Sequence, residues 1–320
     1  MTLESKTGRW RTNVAVVFRR KRVWFQAAAL LVMLAVIAVF GVSAYVGWNL
    51  THPEREKIDS SPVGLPFENV SFRSRVDSLV LRGWLIRAPG NRATVIFAHG
   101  YGKNRLQEDV PVLPIARDLV QHGYNVLMFD FRDSGESDGT MTSVGQFEVL
   151  DLLGAVDFVQ SRPPLSRRIV LYGFSMGAST AILAAARDPA VTAVIADSPF
   201  ADLKTYLLKN LSDWTNLPSF PFNQAFMLVV PPLTGLDPGK VSPVREIKNL
   251  DGRPLLLIHG EADTDVPIGN SESLQKAYPQ ARLWRVSGAG HVQSFAVAGD
   301  AYLQKVEAFL NMVGDPGSGG

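Results

Sequence analysis

From Val23 to Leu50 the chain carries no charged residue. The centre of this run, Ala27 to Phe40, is aliphatic or small almost throughout. About 20 apolar residues suffice to cross a bilayer as a helix, so a transmembrane helix is predicted over 23–50. Trp24 and Trp48 fall near its two ends, where indoles prefer the membrane interface. After it, residues 51–68 turn polar and hold Pro62 and Pro66, the composition of a linker. Two alternating stretches follow, 70–74 and 79–86, and they read as an antiparallel hairpin. From residue 93 the period changes. Nearly continuous apolar runs at 93–98, 125–129, 168–172, 191–196, 254–258 and 282–286 predict buried strands. Helices are predicted near 110–122, 143–160, 176–187, 271–278 and 300–313. Apolar strands alternating with helices imply an α/β domain over 69–313, a mainly parallel twisted sheet with helices on both faces. The alternation stops between Phe200 and Asn249, where aromatic and aliphatic residues crowd between prolines. This interval is expected to be a small cap. Residues 314–320, rich in glycine, read as a flexible tail.

Charge changes the picture at one end. Residues 1–22 hold seven Lys/Arg against one Glu, so the net +2 of the whole chain leaves the remainder at −4. The basic cluster Arg19-Arg20-Lys21-Arg22 precedes the apolar run, and the positive-inside rule places residues 1–22 in the cytoplasm and everything after residue 50 outside. Val42-Ser43-Ala44 resembles a signal-peptide cleavage site. The long basic segment and the apolar residues continuing past Ala44 favour an uncleaved anchor. Both alternatives export the domain. Its mild acidity argues against a nucleic-acid partner. Cysteine is absent, which excludes a thiol nucleophile, a disulfide framework and a thiolate metal site. No residue cluster suggests a metal or another cofactor.

The chemistry centres on Gly173-Phe174-Ser175-Met176-Gly177. The bare pattern is common, but here it stands between an apolar β-branched run and a small-residue helical stretch. A serine at such a strand–turn–helix junction projects its hydroxyl off the sheet end, with glycines where strand and helix pass too closely for a Cβ. Serine needs a base to take its proton and a carboxylate to orient that base. Two histidines follow Ser175. His259 ends a predicted strand and reads as a satisfied strand-end residue. His291, in Gly288-Ala289-Gly290-His291 beyond the last strand, is the expected base. The acid is expected from the loop between them, where Glu261, Asp263 and Asp265 all qualify by spacing. The strand 93–98 runs into His99-Gly100-Tyr101-Gly102. A backbone N–H from that turn and the N–H of Met176 would together hold a carbonyl oxygen becoming negative.

These motifs resemble the α/β-hydrolase superfamily over roughly residues 68–313. The chain order of serine, acid and histidine is that family's order. Within it the chain is most similar to prolyl-oligopeptidase-like hydrolases that carry an anchor and a small cap. The HGxxxN-type loop is His99 to Asn104, the HGxxDxxVP box is His259 to Pro267, and GxGH is Gly288 to His291. The resemblance implies Asp263 as the acid and Tyr101 as the second oxyanion donor. It also matches Asp130 to Ser137 to a D-x-R-G-x-G-x-S loop of structural role, with Asp133 where the family has glycine. The cap it implies over the serine suits an acyl or aromatic pocket, with Trp214, Phe222 and Phe226 as pocket residues, or a surface dipping into the membrane interface.

The expected activity is that of a membrane-anchored, extracytoplasmic serine hydrolase. It would cleave small-molecule or lipid carboxylic esters through an acyl-enzyme. Thioesterase, lipase and peptidase activities are the alternatives on the same fold, and a non-catalytic binding protein is the alternative of another class. Ser175 excludes the dehalogenase and epoxide-hydrolase chemistries, which need aspartate at the turn. The residues say nothing of the oligomeric state.

Overall fold

The computed structural model describes residues 5–59, 64–163, 165 and 168–314. Of the predicted tail, 314–320, Gly314 ends the last helix and 315–320 lie outside the described residues, as does the centre of the predicted linker, 60–63.

In chain order the elements are α1 (Ser5–Thr51), β1 (Glu68–Arg73), β2 (Val80–Ile86), β3 (Thr94–Ala98), α2 (Val112–Gln121), β4 (Asn125–Phe129), α3 (Glu148–Gln160), β5 (Ile169–Phe174), α4 (Met176–Arg187) and β6 (Val191–Asp197). There follow α5 (Leu203–Thr215), α6 (Ser219–Thr234), α7 (Pro243–Glu246), β7 (Leu255–Gly260), α8 (Gly269–Ala277), β8 (Arg282–Val286), α9 (Ser294–Ala298) and α10 (Asp300–Gly314). The strands form one eight-stranded sheet in the order β1-β2-β4-β3-β5-β6-β7-β8. β1 and β2 are the predicted hairpin, and β2 pairs antiparallel with β4. Every other pairing is parallel.

The apolar runs explain this layout. β3, β4, β5 and β7 are buried at every position, as parallel strands covered on both faces must be. One face packs on α3, α4 and the cap helices, the other on α2 and α10. β1 is the edge. It alternates, burying Val70 and Phe72 and exposing its other residues. The chain steps from β3 out to β4 and returns to β5 on the other side of β3. A crevice opens at such a reversal, beyond the carboxyl ends of the strands. The loop after β3 and the turn after β5 meet there.

Three helix starts differ from the expected ones for local reasons. α3 begins at Glu148 rather than Ser143, because Gly145 takes φ +107° and the Glu148 carboxylate accepts bonds from Thr142, Ser143 and Gly145. α2 begins after Pro111, whose ψ of 62° is not helical. α8 starts two residues early, at Gly269. In the cap interval, α5 and α6 are separated by Asn216 in the left-handed region and by Pro218, and α6 stops at Gly235, φ +80°.

Among the described residues one helix is long and apolar enough to cross a membrane, Arg19–Thr51 within α1. Residues 52–59 are irregular, as a linker would be, yet this end of the anchor segment is fastened to the domain. The Thr51 carbonyl accepts from Thr142 N–H at 2.8 Å, and Lys103 Nζ lies 2.8 Å from Glu56.

Candidate active site

Ser175 sits between β5 and α4 at φ 52°, ψ −117°. A serine in that region is strained by about 1–3 kcal/mol, and the surroundings hold it there. Its N–H donates to the Asp197 carbonyl at 2.8 Å. A Cβ on Gly173 would come within 2.2 Å of Gly177 O, and one on Gly177 within 2.0 Å of Ala98 O. Neither position accepts any other residue, so the two glycines let α4 pass directly over the ends of β3 and β5.

His291 follows β8, and Asp263 follows β7. His291 Nε2 lies 2.8 Å from Ser175 Oγ, and its Nδ1 lies 2.8 Å from Asp263 Oδ2. The Asp263 side chain is sealed from solvent, while His291 stays partly open. Burial alone would raise the Asp263 pKa. Hydrogen bonds from His259 and His291, the His291 charge and the Val266 N–H outweigh it and hold the carboxyl well below the usual range. For His291 burial works toward the neutral form. The Asp263 carboxylate prevails and raises the imidazole above its ordinary 6.5. Of the three acids in the loop, Glu261 and Asp265 are exposed and only Asp263 is buried against an imidazole. His259 is a satisfied strand-end residue, as expected. Its Nε2 faces the Val266 carbonyl at 2.7 Å, and its Nδ1 lies 2.7 Å from Ser271 Oγ. It also stands 3.3 Å from Asp263 Oδ2 and braces that carboxylate.

The loop after β3 is shaped by His99, which is buried. Its Nε2 accepts from Phe131 N–H at 3.0 Å, so Nδ1 carries the proton toward Gly100 O at 2.8 Å. Burial outweighs nearby carboxylates and keeps this imidazole neutral, with its pKa lowered. Gly100 N–H donates to Gln107 Oε1 at 2.8 Å, and a Cβ on Gly100 would stand 3.6 Å from the Ser175 Cβ. Tyr101 follows it. Met176 opens α4, where the first N–H groups of a helix have no intrahelical acceptor.

Comparisons with known proteins bear on the family of the chain. Residues 89–243 match the serine aminopeptidase S33 family, and residues 234–319 match the TAP-like protein family. YqkD of Bacillus subtilis, an uncharacterised protein, is 30% identical over 239 residues, which span 73% of this chain and 76% of YqkD. The chain belongs to the α/β-hydrolase superfamily. It is a hydrolase enzyme by the same relationship. YfhR of Escherichia coli K12, also uncharacterised, is 30% identical over 253 residues, 76% of this chain and 80% of YfhR. A Pyrococcus furiosus esterase superposes with a TM-score of 0.69 at 29% identity, covering 82% of this chain and 97% of the esterase.

In this hydrolase a cavity of about 220 Å³ opens over Ser175 and His291. Its apolar wall includes Leu50, Met176, Phe200, Leu207 and Trp214, and Tyr101 also borders it. Of the three expected pocket residues, Trp214 lines this cavity, and Phe222 and Phe226 do not border it. Phe226 faces inward from α6 into the main core and is 1% exposed. Phe222 lies on the side of α6 that meets α1, where its carbonyl accepts from Ser43 Oγ at 3.4 Å.

The Asp130–Ser137 loop has the structural role expected of it. Asp130 receives Arg105 and the Glu136 N–H, and Arg132 is held by the buried Asp151. Asp133 takes φ 55°, the left-handed region where the family's glycine would sit, and its carboxylate is 3.2 Å from Arg55. The substitution thus fastens the segment after α1 to the domain.

One group went unseen in the sequence. Asp197, at the end of β6, accepts from Tyr302 Oη at 2.9 Å and Ser198 Oγ at 3.1 Å, and Tyr172 donates in turn to Tyr302. Val292 N–H donates to Ser198 Oγ at 3.2 Å. Burial, opposed by these bonds, raises the Asp197 pKa to about 6. The chain of bonds ties the loop of His291 to the sheet. Its members are 130 residues apart at the extremes, so only the fold brings them together.

Proposed function

We propose that this hydrolase is a membrane-anchored esterase acting outside the cytoplasm, with Ser175 as nucleophile, His291 as base and Asp263 as orienting acid. The observation that carries the reading is the unbroken row Asp263–His291–Ser175 at 2.8 Å per step, opening into an apolar cavity. Ser175 Oγ attacks the ester carbonyl while its proton passes to His291 Nε2. The carbonyl electron pair moves onto oxygen, where the N–H groups of Met176 and Tyr101 receive it. The C–O bond then breaks, the alkoxide leaves with the His291 proton, and water repeats the sequence on the acyl-enzyme. No cofactor enters these steps. The 29% identical Pyrococcus esterase supports an ester as the substrate. The test is fluorophosphonate labelling of the full chain, followed by p-nitrophenyl esters of graded acyl length. No labelling and no turnover of any ester would overturn the reading.

In the same reading, α1 anchors the chain with its N-terminus in the cytoplasm, residues 51–68 connect, residues 69–313 form the catalytic domain and 200–249 its cap. The excess of Lys/Arg before Val23 supports the orientation. An alkaline phosphatase fused after residue 60 is expected to be active in cells, and an inactive fusion would reverse the topology.

Trp214 is expected to influence acyl choice because it lines the cavity. Trp214→Ala should change the ratio of rates across acyl lengths. Phe226→Ala should leave that ratio alone and cost about 3–5 kcal/mol of stability, as truncation of a buried aromatic does. A uniform slowing of every ester by Trp214→Ala would make the ring merely structural.

A further inference from the structure

From Trp214 to Leu236 there is again no charged residue. This segment comprises the end of α5, the turn after it and α6, and it lies on the surface. Phe220 is 76% exposed, Leu228 67% and Leu233 45%. A helix with water on its outer face ordinarily carries charge there, and α6 carries none.

The place of α6 gives this a meaning. Along α1, the residues from Arg19 to Val42 are exposed apart from the half-buried Val39, and Ser43 is the first buried one. From there Ser43, Gly47 and Thr51, spaced by four, form one buried face. Ser43 Oγ bonds to the Phe222 carbonyl, and a Cβ on Gly47 would stand 2.1 Å from Val230 Cγ2. Counted from Val23, about 20 residues of helix traverse the hydrocarbon and bring α1 to its far edge near residue 42. The packing of α6 on α1 thus begins where α1 leaves the bilayer. Phe222 meets Ser43, and Val230 meets Gly47 farther out, so the N-terminal end of α6, with Phe220, points back toward the lipid. Tyr45 and Trp48 stay exposed at this same level of α1, as aromatic residues do at a membrane interface.

The cavity belongs to the same corner. Leu50, in the last turn of α1, and Trp214, just before the turn into α6, both line it. Tyr101 Oη donates to the Leu50 carbonyl at 2.7 Å, which joins α1 to the loop after β3.

We propose that the outer end of α1 and the tip of α6 form one lipid-contacting rim. Through it the cavity takes its substrate, a long-chain acyl ester resident in the leaflet beneath the domain, directly from the membrane. The proposal rests on Ser175 as nucleophile and α1 as anchor, and it adds the substrate's class and route. α1 is then a wall of the site as well as a tether.

The test uses the full chain in phosphatidylcholine vesicles. The double variant Phe220→Asp, Leu228→Asp alters neither the cavity lining nor the groups around Ser175. Hydrolysis of vesicle-embedded 4-methylumbelliferyl palmitate should fall about tenfold for each large side chain withdrawn from lipid. Soluble p-nitrophenyl acetate should be cleaved within about twofold of wild type, since the sites are independent. An unchanged rate on the embedded ester would overturn the proposal. If the variant loses both activities, a second measurement decides. The chain has no cysteine, so nitroxide labels on Phe220→Cys and Lys276→Cys report single positions. The label at 220 should be relaxed by oxygen and shielded from an aqueous nickel chelate, and the label at 276 should behave oppositely. Equal access of nickel to both would overturn the rim. A wild type that cleaves neither ester would sink the serine-hydrolase reading, while the labels still judge the rim.

Discussion

Ser175→Ala is expected to lower ester turnover by a factor of about 10³ to 10⁶, the range seen when a serine nucleophile is removed from such a triad. Fluorophosphonate labelling should vanish with it. The fold should persist, because what holds the turn is backbone. The Ser175 N–H bond to Asp197 and the close passage of Gly173 and Gly177 do not involve the hydroxyl, and the half-buried side chain loses only one oxygen. No neighbouring serine offers a substitute. Ser179 Oγ is committed to the backbone of Phe200, and Ser198 Oγ donates to Asp197 while receiving Val292 N–H. The checks are an activity assay, gel fluorescence of the labelled chain and a melting curve. Normal labelling of the variant would overturn Ser175 as the nucleophile. A collapsed melting curve would show the hydroxyl to be structural.

Which parts of this molecule were legible in its sequence follows from the range of the interactions that determine them. The buried strands were legible because parallel strands covered on both faces need unbroken apolar runs, as in Thr94–Ala98 and Leu255–Gly260. The elbow was legible because two glycines, a strand and a helix are neighbours in the chain. The proposed acid could be singled out only through family resemblance, since Glu261, Asp263 and Asp265 are equivalent by spacing. What separates them is burial, set by how the loop packs on His259 and His291. The lining of the cavity over Ser175 was harder to read. An aromatic-rich interval announces an apolar site, but which rings face it depends on the rotation of α6, and that is set where its Val230 packs on Gly47 of α1. The contacts of Leu50 with Tyr101 and of Arg55 with Asp133 join residues 51 and 78 positions apart. No local pattern encodes them, although an aspartate in a glycine position was the visible trace of the second.

Asp263→Asn should be the next most damaging change, with turnover down by about 10³ to 10⁴. The carboxylate accepts the Nδ1 proton of His291, which leaves Nε2 free to face Ser175. An amide of the same shape can donate its own hydrogen to Nδ1 and so fix the opposite tautomer. It also withdraws the charge that stabilises the imidazolium formed during attack. Asp265→Asn and Glu261→Gln, at exposed positions without this bond, should stay within about tenfold of wild type. The pH profile separates an electrostatic role from a structural one. His291 works as a base only when neutral, so kcat/KM rises with pH through its pKa. Asp263 holds that pKa above 6.5, which places the acid limb of the wild type above 6.5. Without the carboxylate, burial of His291 is opposed only by the lesser pull of Asp265 and Asp197, and the neutral form gains. The limb of the variant should therefore move to lower pH while its plateau falls. A lowered plateau with an unmoved limb would mean that Asp263 only braces its loop. A crippled Asp265→Asn beside an active Asp263→Asn would transfer the acid's role to Asp265.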